Sequence, residues 1–152
     1  SGASSRRSAR TRSAVGRSMS WLLTGTIRAG RGPATKKPIQ LSAIAPLTVV
    51  RGNNDKAPWA RALPEREAVQ LGEVLLYVVH DLAELDIDPV AGGFRVIVSG
   101  HSHRPRVEER DGVLYVNPGS AGPRRFRLPI AVASLDIAGS GVTGRIEVLA
   151  VD

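Results

Sequence analysis

A chain of 152 residues that contains no cysteine is long enough for one domain with a buried core, and it excludes disulfides and thiolate metal sites. The formal charge of +7 is uneven: residues 1–40 hold nine Lys or Arg and no acidic residue, whereas the rest holds twelve against fourteen Asp or Glu. This slightly acidic body argues against a nucleic-acid-binding fold, and no apolar run reaches the roughly 20 residues that span a bilayer.

The basic residues 1–40 are predicted to form a poorly ordered leader rich in Ser and Arg, and residues 41–152 to form the domain. Low hydrophobicity and charge of one sign favour disorder in the leader. A simple tail or a shifted chain start is the preferred interpretation; an organellar transit peptide, which shares this composition, is the alternative. We therefore expect a cytoplasmic protein.

Strand signals dominate the chain beyond residue 46, where apolar residues form short runs or alternate with polar ones. The turn at Asp111-Gly112 is a strong hairpin signal. The predicted elements are, in chain order, a strand and turn at 21–27, a short helix at 38–45, a strand at 47–50, a loop or helical turn at 56–63, a hairpin at 68–79, a loop or short helix at 81–90, a strand at 94–98, a hairpin at 106–116, a dense turn at 117–123 and a hairpin at 130–149.

Three of the predicted strands are followed by side chains that can bind a metal. Asn53 follows the run at 47–50, His80 follows the run at 74–79, and His101 and His103 follow the run at 94–98. The crevice beyond the carboxyl ends of strands is where ligands bind in open α/β sheets. In an extended segment, histidines at i and i+2 point to the same side. Each signal alone is typical of an ordinary turn or a structural histidine, but together they predict one shared metal pocket.

Four motifs occur here in a recognisable order: Gly52-Asn53-Asn54-Asp55, a strand ending in His80, Gly100-His101-Ser102-His103, and Asn117-Pro118-Gly119-Ser120. Over residues 45–152 this order resembles the calcineurin-like metallophosphoesterase superfamily, and most closely its small YfcE-type phosphodiesterases. The resemblance implies an α/β (α+β) fold, a β-sandwich flanked by helices, whose N-terminal part is incomplete or atypical in this chain. It also implies hydrolysis of phosphate esters by water that two divalent metal ions, often manganese, activate.

The resemblance also implies roles for individual residues. Asn53, His80 and His101 correspond to ligands of one ion, and His103 corresponds to a ligand of the other. Asn54 stands at the leaving-group position, where relatives carry His or Cys, so acid assistance is not expected from it. Arg104 is a candidate contact to substrate phosphate. Residues 117–120 are expected to shape the floor of the site, and no catalytic residue is otherwise assigned.

The sequence departs from the family pattern upstream. The family's Asp-x-His and Gly-Asp motifs are missing, because no acidic residue precedes Asp55 and no histidine precedes His80. The four remaining ligands are all neutral, which favours zinc or nickel over manganese. Without the bridging carboxylate, we expect one ion and not a stable pair.

Three functions remain open at this point. The first is a metal-dependent phosphoesterase that acts on a small phosphate ester, with activity impaired by the three missing ligands. The second is a non-catalytic scaffold on the same fold, as the phosphoesterase-like subunit of retromer illustrates. The third is a truncated or frame-altered remnant of the enzyme, suggested by the abrupt change in composition near residue 40.

Overall fold

The structure, a computed structural model, describes residues 46–122 and 124–150, together with the backbone of residues 19–23. Two β-sheets account for most of this part of the chain. The strands are β1 (Met19–Leu23), β2 (Arg66–Leu71), β3 (Val74–Val79), β4 (Val96–Val98), β5 (Arg106–Arg110), β6 (Val113–Asn117), β7 (Ala131–Ala138) and β8 (Gly141–Val148).

The larger sheet has the strand order β2-β3-β4-β6-β5. Its three central strands, β3, β4 and β6, run parallel to one another, and each edge strand is antiparallel to its neighbour. The two edge pairs are the predicted hairpins at 68–79 and 106–116. In the second hairpin, Asp111 and Gly112 both have positive φ, of 52° and 75°, which is the conformation that a two-residue hairpin turn requires.

The smaller sheet has the order β1-β7-β8 and is antiparallel throughout. The pair β7–β8 is the predicted C-terminal hairpin, and Gly139 in its turn has a φ of 58°. The strand β1 lies along β7, with Met19 opposite Ile137 and Leu23 opposite Ala133.

The core lies between the two sheets, and the period of two along each strand decides which residues reach it. Val74 and Leu76 of β3 face the smaller sheet and pack with Leu135 of β7, which is fully buried. Tyr77 and Val79 of β3 belong to a second cluster on the opposite face. Partly buried side chains from the connections at 82–94 cover that face, namely Leu82, Leu85, Ile87 and Phe94.

This arrangement confirms the expected sandwich of two sheets in a mixed α/β fold. In the described residues the helical segments are two 3-10 helices, Pro58–Ala62 and Leu82–Glu84. They fall within the segments 56–63 and 81–90, for which a loop or short helix was predicted.

The predicted strand at 47–50 is wrong, because these residues form no strand. A strand needs hydrogen-bonding partners in a neighbouring strand. Within the described residues, no strand pairs with residues 47–50. Pro46, Leu47 and Thr48 are exposed, and Val49 and Val50 are half-buried.

The predictions for the first 45 residues fall largely outside the described part of the chain. This applies to most of the basic leader and to the short helix at 38–45, so the domain boundary at residue 40 stays a prediction. Within the leader, Met19–Leu23 form β1, which includes the start of the strand predicted at 21–27. No helix in the described residues is both long enough and apolar enough to cross a membrane.

Candidate metal centre

The parallel strands β3, β4 and β6 bring their carboxyl ends to one edge of the larger sheet. His80 directly follows β3, Gly100 follows β4 by two residues, and Asn117 is the last residue of β6. Backbone hydrogen bonds extend the pairing beyond the strands: the Gly100 N–H donates to the His80 carbonyl over 2.9 Å, and the Ser99 N–H donates to the Val116 carbonyl over 2.9 Å. The sheet itself therefore sets the distance between His80 and the turn that carries His101.

The side chain of Asn117 stabilises the turn that carries His101. Its Nδ2 atom donates to the Gly100 carbonyl over 2.6 Å and to Ser102 Oγ over 3.0 Å. Its Oδ1 atom accepts the Gly119 N–H over 3.0 Å. Both ends of the amide are thus occupied by partners within the protein, so Asn117 stabilises the loop geometry of the site.

The segment that carries His101 and His103 is not extended, contrary to the expectation from their i, i+2 spacing. Both residues have left-handed backbone conformations, with φ of 58° and 57°, and β4 ends before them at Val98. The chain turns here because Asn117 and the short bond from the Ser102 N–H to the Gly100 carbonyl, 2.7 Å, hold it in that shape. Left-handed conformations are costly for residues other than glycine, and such strain is often found at functional sites.

Asn53 reaches the same edge from a turn and not from a strand. The Gly52 N–H donates to Asp55 Oδ2 over 2.8 Å, and the Asp55 N–H donates to the Gly52 carbonyl over 3.0 Å. A Cβ atom at Gly52 would lie 3.1 Å from His80 Cε1 and 3.2 Å from His80 Nδ1. The absence of a side chain at Gly52 therefore lets this turn pack directly against the His80 ring.

Three of the four predicted ligands meet at His80 Nε2. This atom lies 3.2 Å from Asn53 Oδ1 and 3.3 Å from His101 Nδ1. The two imidazole rings are perpendicular, with centroids 5.3 Å apart. Two ligand atoms bound to one metal at 2.0–2.1 Å are themselves roughly 2.9–3.4 Å apart. The observed separations match that range.

The chemistry of these three atoms also fits a cation. A neutral imidazole nitrogen either donates one hydrogen bond or accepts one. His80 Nε2 faces both an amide oxygen and another ring nitrogen, so it satisfies at most one of them by a hydrogen bond. One divalent ion would accept lone pairs from all three atoms. The residues present thus fit a single ion with two imidazole ligands and one amide ligand.

The fourth predicted ligand, His103, makes no hydrogen bond to these three residues within the described part of the chain, and its role as a ligand of a second ion stays a prediction. Its Nδ1 atom is buried and has no hydrogen-bond partner among the described residues. Within residues 46–122 and 124–150, no group of three or more His, Cys, Asp or Glu side chains is arranged to hold a metal. The side-chain contacts at His80 Nε2 in the described residues therefore involve two histidines and one amide.

The environment favours the neutral form of two histidines. Burial lowers the pKa of His80, and the neighbouring His101 lowers it further, although Asp55 and Asp81 act in the opposite direction. Burial likewise lowers the pKa of His103, with an added contribution from Arg125. Because a metal binds the unprotonated ring, these shifts keep both rings available as ligands to lower pH.

A cleft of about 810 Å³ opens beside Asn53 and His80. Its cationic lining residues are Arg51, Lys56, Arg61 and Arg66. Arg51 is paired with Glu65, and Arg66 with Asp86. Within the described residues, Lys56 and Arg61 form no ion pair and are exposed. The cleft therefore offers two available cations next to the histidines.

The other two sequence candidates lie outside this cleft lining. Asn54 is exposed in the turn, where its carbonyl accepts the Lys56 N–H over 3.1 Å. Arg104 is also exposed, and its N–H lies 3.4 Å from Ser102 Oγ. The roles given to them by the resemblance stay predictions.

Sequence reasoning missed two carboxylates near the histidines. Asp81 Oδ2 lies 3.5 Å from His101 Nε2, and Asp55 supports the turn at Gly52. The available signal for Asp81 was its position, because it directly follows the predicted ligand His80.

The sequence is similar to those of known proteins. Residues 22–140 match the model of the calcineurin-like phosphoesterase superfamily domain. A probable metallophosphoesterase from Methanocaldococcus jannaschii is 29% identical over 99 residues, covering 59% of this chain and 50% of that protein. A probable metallophosphoesterase from Methanothermobacter thermautotrophicus is 31% identical over 97 residues, covering 59% of this chain and 56% of that protein. The chain thus spans about half the length of these curated relatives.

The fold also resembles a solved structure. Vacuolar protein sorting 29 from Cryptosporidium parvum superposes with a TM-score of 0.62 at 25% sequence identity. The match covers 74% of this chain and 68% of that one.

Proposed function

The chain belongs to the calcineurin-like phosphoesterase superfamily, and from that premise we propose that it is a phosphodiesterase-type hydrolase dependent on one divalent metal ion. The observation that carries this proposal is the convergence of Asn53 Oδ1 and His101 Nδ1 on His80 Nε2, within 3.3 Å. These residues come from three separate loops, and three atoms able to bind a metal meet at His80 Nε2.

In this proposal, Asn53, His80 and His101 hold the ion. When bound, it lowers the pKa of water and offsets charge on the phosphoryl group. The set is rich in nitrogen, so zinc or nickel suits it better than manganese, which prefers oxygen ligands. A manganese requirement nevertheless remains an outcome that the assay below distinguishes.

The protein itself contributes binding of the ester in the cleft. Lys56 and Arg61 line it together with Asn53 and His80 and are available to bind anionic oxygens. Their positive charges attract a phosphate ester, while the open shape of the cleft accommodates the organic group. We therefore propose a small phosphate ester as the substrate class. We also propose that the protein acts in the cytoplasm and has neither nucleic acid nor a membrane as partner.

The test is hydrolysis of bis-p-nitrophenyl phosphate by the metal-stripped protein, after addition of Zn²⁺, Ni²⁺ or Mn²⁺ in turn. We expect turnover with one of these ions and its loss in EDTA. His101→Ala is expected to abolish turnover, because it removes one of the two imidazole ligands. Thr143→Ala, at an exposed position of β8, is the control and is expected to retain full turnover. Absence of metal-dependent turnover in the folded wild-type protein would contradict the proposal.

A second candidate is a non-catalytic scaffold on the same fold. It is favoured by the donor set: in the described residues no carboxylate joins the two histidines as a ligand, and no group of three acidic or imidazole ligands exists there. A folded protein that binds Zn²⁺ through His80 and His101 but hydrolyses no ester would support this candidate over the enzyme.

A further inference from the structure

The residue after the central histidine makes contacts that the metal ligands alone do not explain. Asp81 Oδ1 accepts the Ala83 N–H over 3.0 Å and so caps the 3-10 helix Leu82–Glu84. The other oxygen, Oδ2, lies 3.5 Å from His101 Nε2. The carboxylate is partly shielded, with its side chain 29% exposed. One side chain thus links the helix start to the far side of the His101 ring.

The protonation of His101 Nε2 matters because the other ring nitrogen, Nδ1, lies next to the proposed metal centre. His101 Nδ1 lies 3.3 Å from His80 Nε2, whereas Nε2 lies 3.5 Å from Asp81 Oδ2. An ionised carboxylate only accepts hydrogen bonds, so it favours a proton on the ring nitrogen that faces it. A neutral imidazole carries one N–H, and a proton on Nε2 leaves the lone pair on Nδ1.

From this contact we infer that Asp81 is a positioning residue for the metal centre, holding His101 in the tautomer whose Nδ1 lone pair faces His80 and Asn53. The inference rests on the proposed metal site and adds a residue to it. Asp81 also places a negative charge behind a set of three neutral ligands. Carboxylates in such positions orient a ligating histidine and increase its basicity, and their loss costs about 10- to 100-fold in metal affinity.

Two variants separate this role from helix capping. Asp81→Asn retains an oxygen that can accept the Ala83 N–H but removes the negative charge. The matched control is Asp88→Asn, because Asp88 Oδ1 caps the N–H groups of Val90 and Ala91 in the same way and has no contact with a histidine in the described residues. Zn²⁺ affinity is measured by competition with a chromogenic chelator.

We expect the dissociation constant to rise about 10- to 100-fold in Asp81→Asn and to stay unchanged in Asp88→Asn. Wild-type affinity in Asp81→Asn would overturn the inference and leave the proposed function intact.

The second measurement needs no metal. The ring nitrogens of His101 are observed by long-range ¹H–¹⁵N NMR correlation in the stripped protein, near neutral pH. We expect the Nε2–H tautomer in the wild type and in Asp88→Asn, and a shift toward the other tautomer in Asp81→Asn. The same tautomer mixture in all three proteins would overturn the inference. If the wild type neither binds Zn²⁺ nor hydrolyses the ester, the proposed function fails, whereas the NMR result still decides the role of Asp81.

Discussion

The side chain of Asn117, at the end of β6, donates to the carbonyl of Gly100, just beyond the end of β4, over 2.6 Å. A residue of one strand thereby fixes the turn after its neighbour, and His101 is the next residue in that turn. The left-handed backbone at His101, with a φ of 58°, is maintained by partners of this kind and not by local preference.

Replacing Asn117 with alanine is therefore expected to affect both stability and metal binding. The change leaves the Gly100 carbonyl and the Gly119 N–H without these partners, which costs about 1–3 kcal/mol in the free energy of unfolding. Urea denaturation measures that loss, and chelator competition measures the accompanying fall in Zn²⁺ affinity. Gln70→Ala removes another bond from a side-chain amide to a backbone carbonyl, the one to Gly72 at 2.8 Å, and is expected to leave metal binding unchanged. Equal metal affinities in the two variants would contradict this view of Asn117.

A second prediction compares two glycines at the same edge. A Cβ atom at Gly52 would lie 3.1 Å from both His80 Cε1 and Asp55 Oδ2, whereas one at Gly100 would lie 3.5 Å from the His80 carbonyl oxygen. We expect Gly52→Ala to displace the His80 ring and to lower Zn²⁺ affinity about tenfold, the low end of the loss seen when a contact that orients a ligand is removed. Gly100→Ala meets only ordinary contacts and is expected to stay within about threefold of the wild type. The prediction is wrong if the alanine at position 100 is the more damaging one.

The third prediction concerns the pH dependence of stability. Burial lowers the pKa values of His80 and His103 from the ordinary value of 6.5, so between the folded-state pKa and 6.5 the unfolded chain binds more protons. The free energy of unfolding must then decrease as the pH falls through that window and level off below it. Urea denaturation of the metal-free protein from pH 7.5 to 4.5 tests this sign.

Two variants provide the controls for that measurement. His103→Asn removes one of the two titrating groups and is expected to flatten the pH profile. Arg125→Gln removes the positive charge that contributes to the lowered pKa of His103, so it is expected to narrow the pH range over which stability changes. Stability that increases as the pH falls from 7 to 5 would contradict the prediction.

The fourth prediction concerns the cleft. Arg61→Gln removes one of its two available cations, and a charge-assisted hydrogen bond contributes about 1.5–3 kcal/mol. We expect KM for the phosphodiester to rise about tenfold with little change in kcat. Arg95→Gln is the control, since Arg95 is exposed and precedes β4, at the opposite end of that strand from His101. A KM that is unaffected at Arg61 would exclude this residue from substrate binding.

Much of the sheet could be predicted from sequence because its hairpins are locally encoded. Asp111 and Gly112 both adopt the positive φ that their turn requires, and the alternation along β7 and β8 needs no knowledge of the rest of the chain. Residues 47–50 carry an equally apolar pattern, yet they form no strand, since no strand of the described residues pairs with them. Which strands become neighbours is a property of the whole sheet.

The clustering of side chains at the candidate site could also be predicted in part. Asn53, His80 and His101 are brought together because sequence position relative to a strand end is informative. The role of His103 as a ligand stays a prediction; the spacing argument assumed an extended backbone, whereas His101 and His103 are both left-handed. The contact between Asp81 and His101 depends on how the 3-10 helix at 82–84 leaves the sheet, which no local pattern encodes.

The pairing of β1 with β7 has a consequence for synthesis on the ribosome. Met19 lies opposite Ile137, so this edge strand emerges more than one hundred residues before the strand that completes its hydrogen bonds. At roughly 5–20 residues per second, the delay is on the order of ten seconds. The larger sheet can assemble during that interval, because its five strands are all translated before β7. Chaperone dependence of nascent chains should therefore be greatest in this interval and decline once the last hairpin has left the exit tunnel.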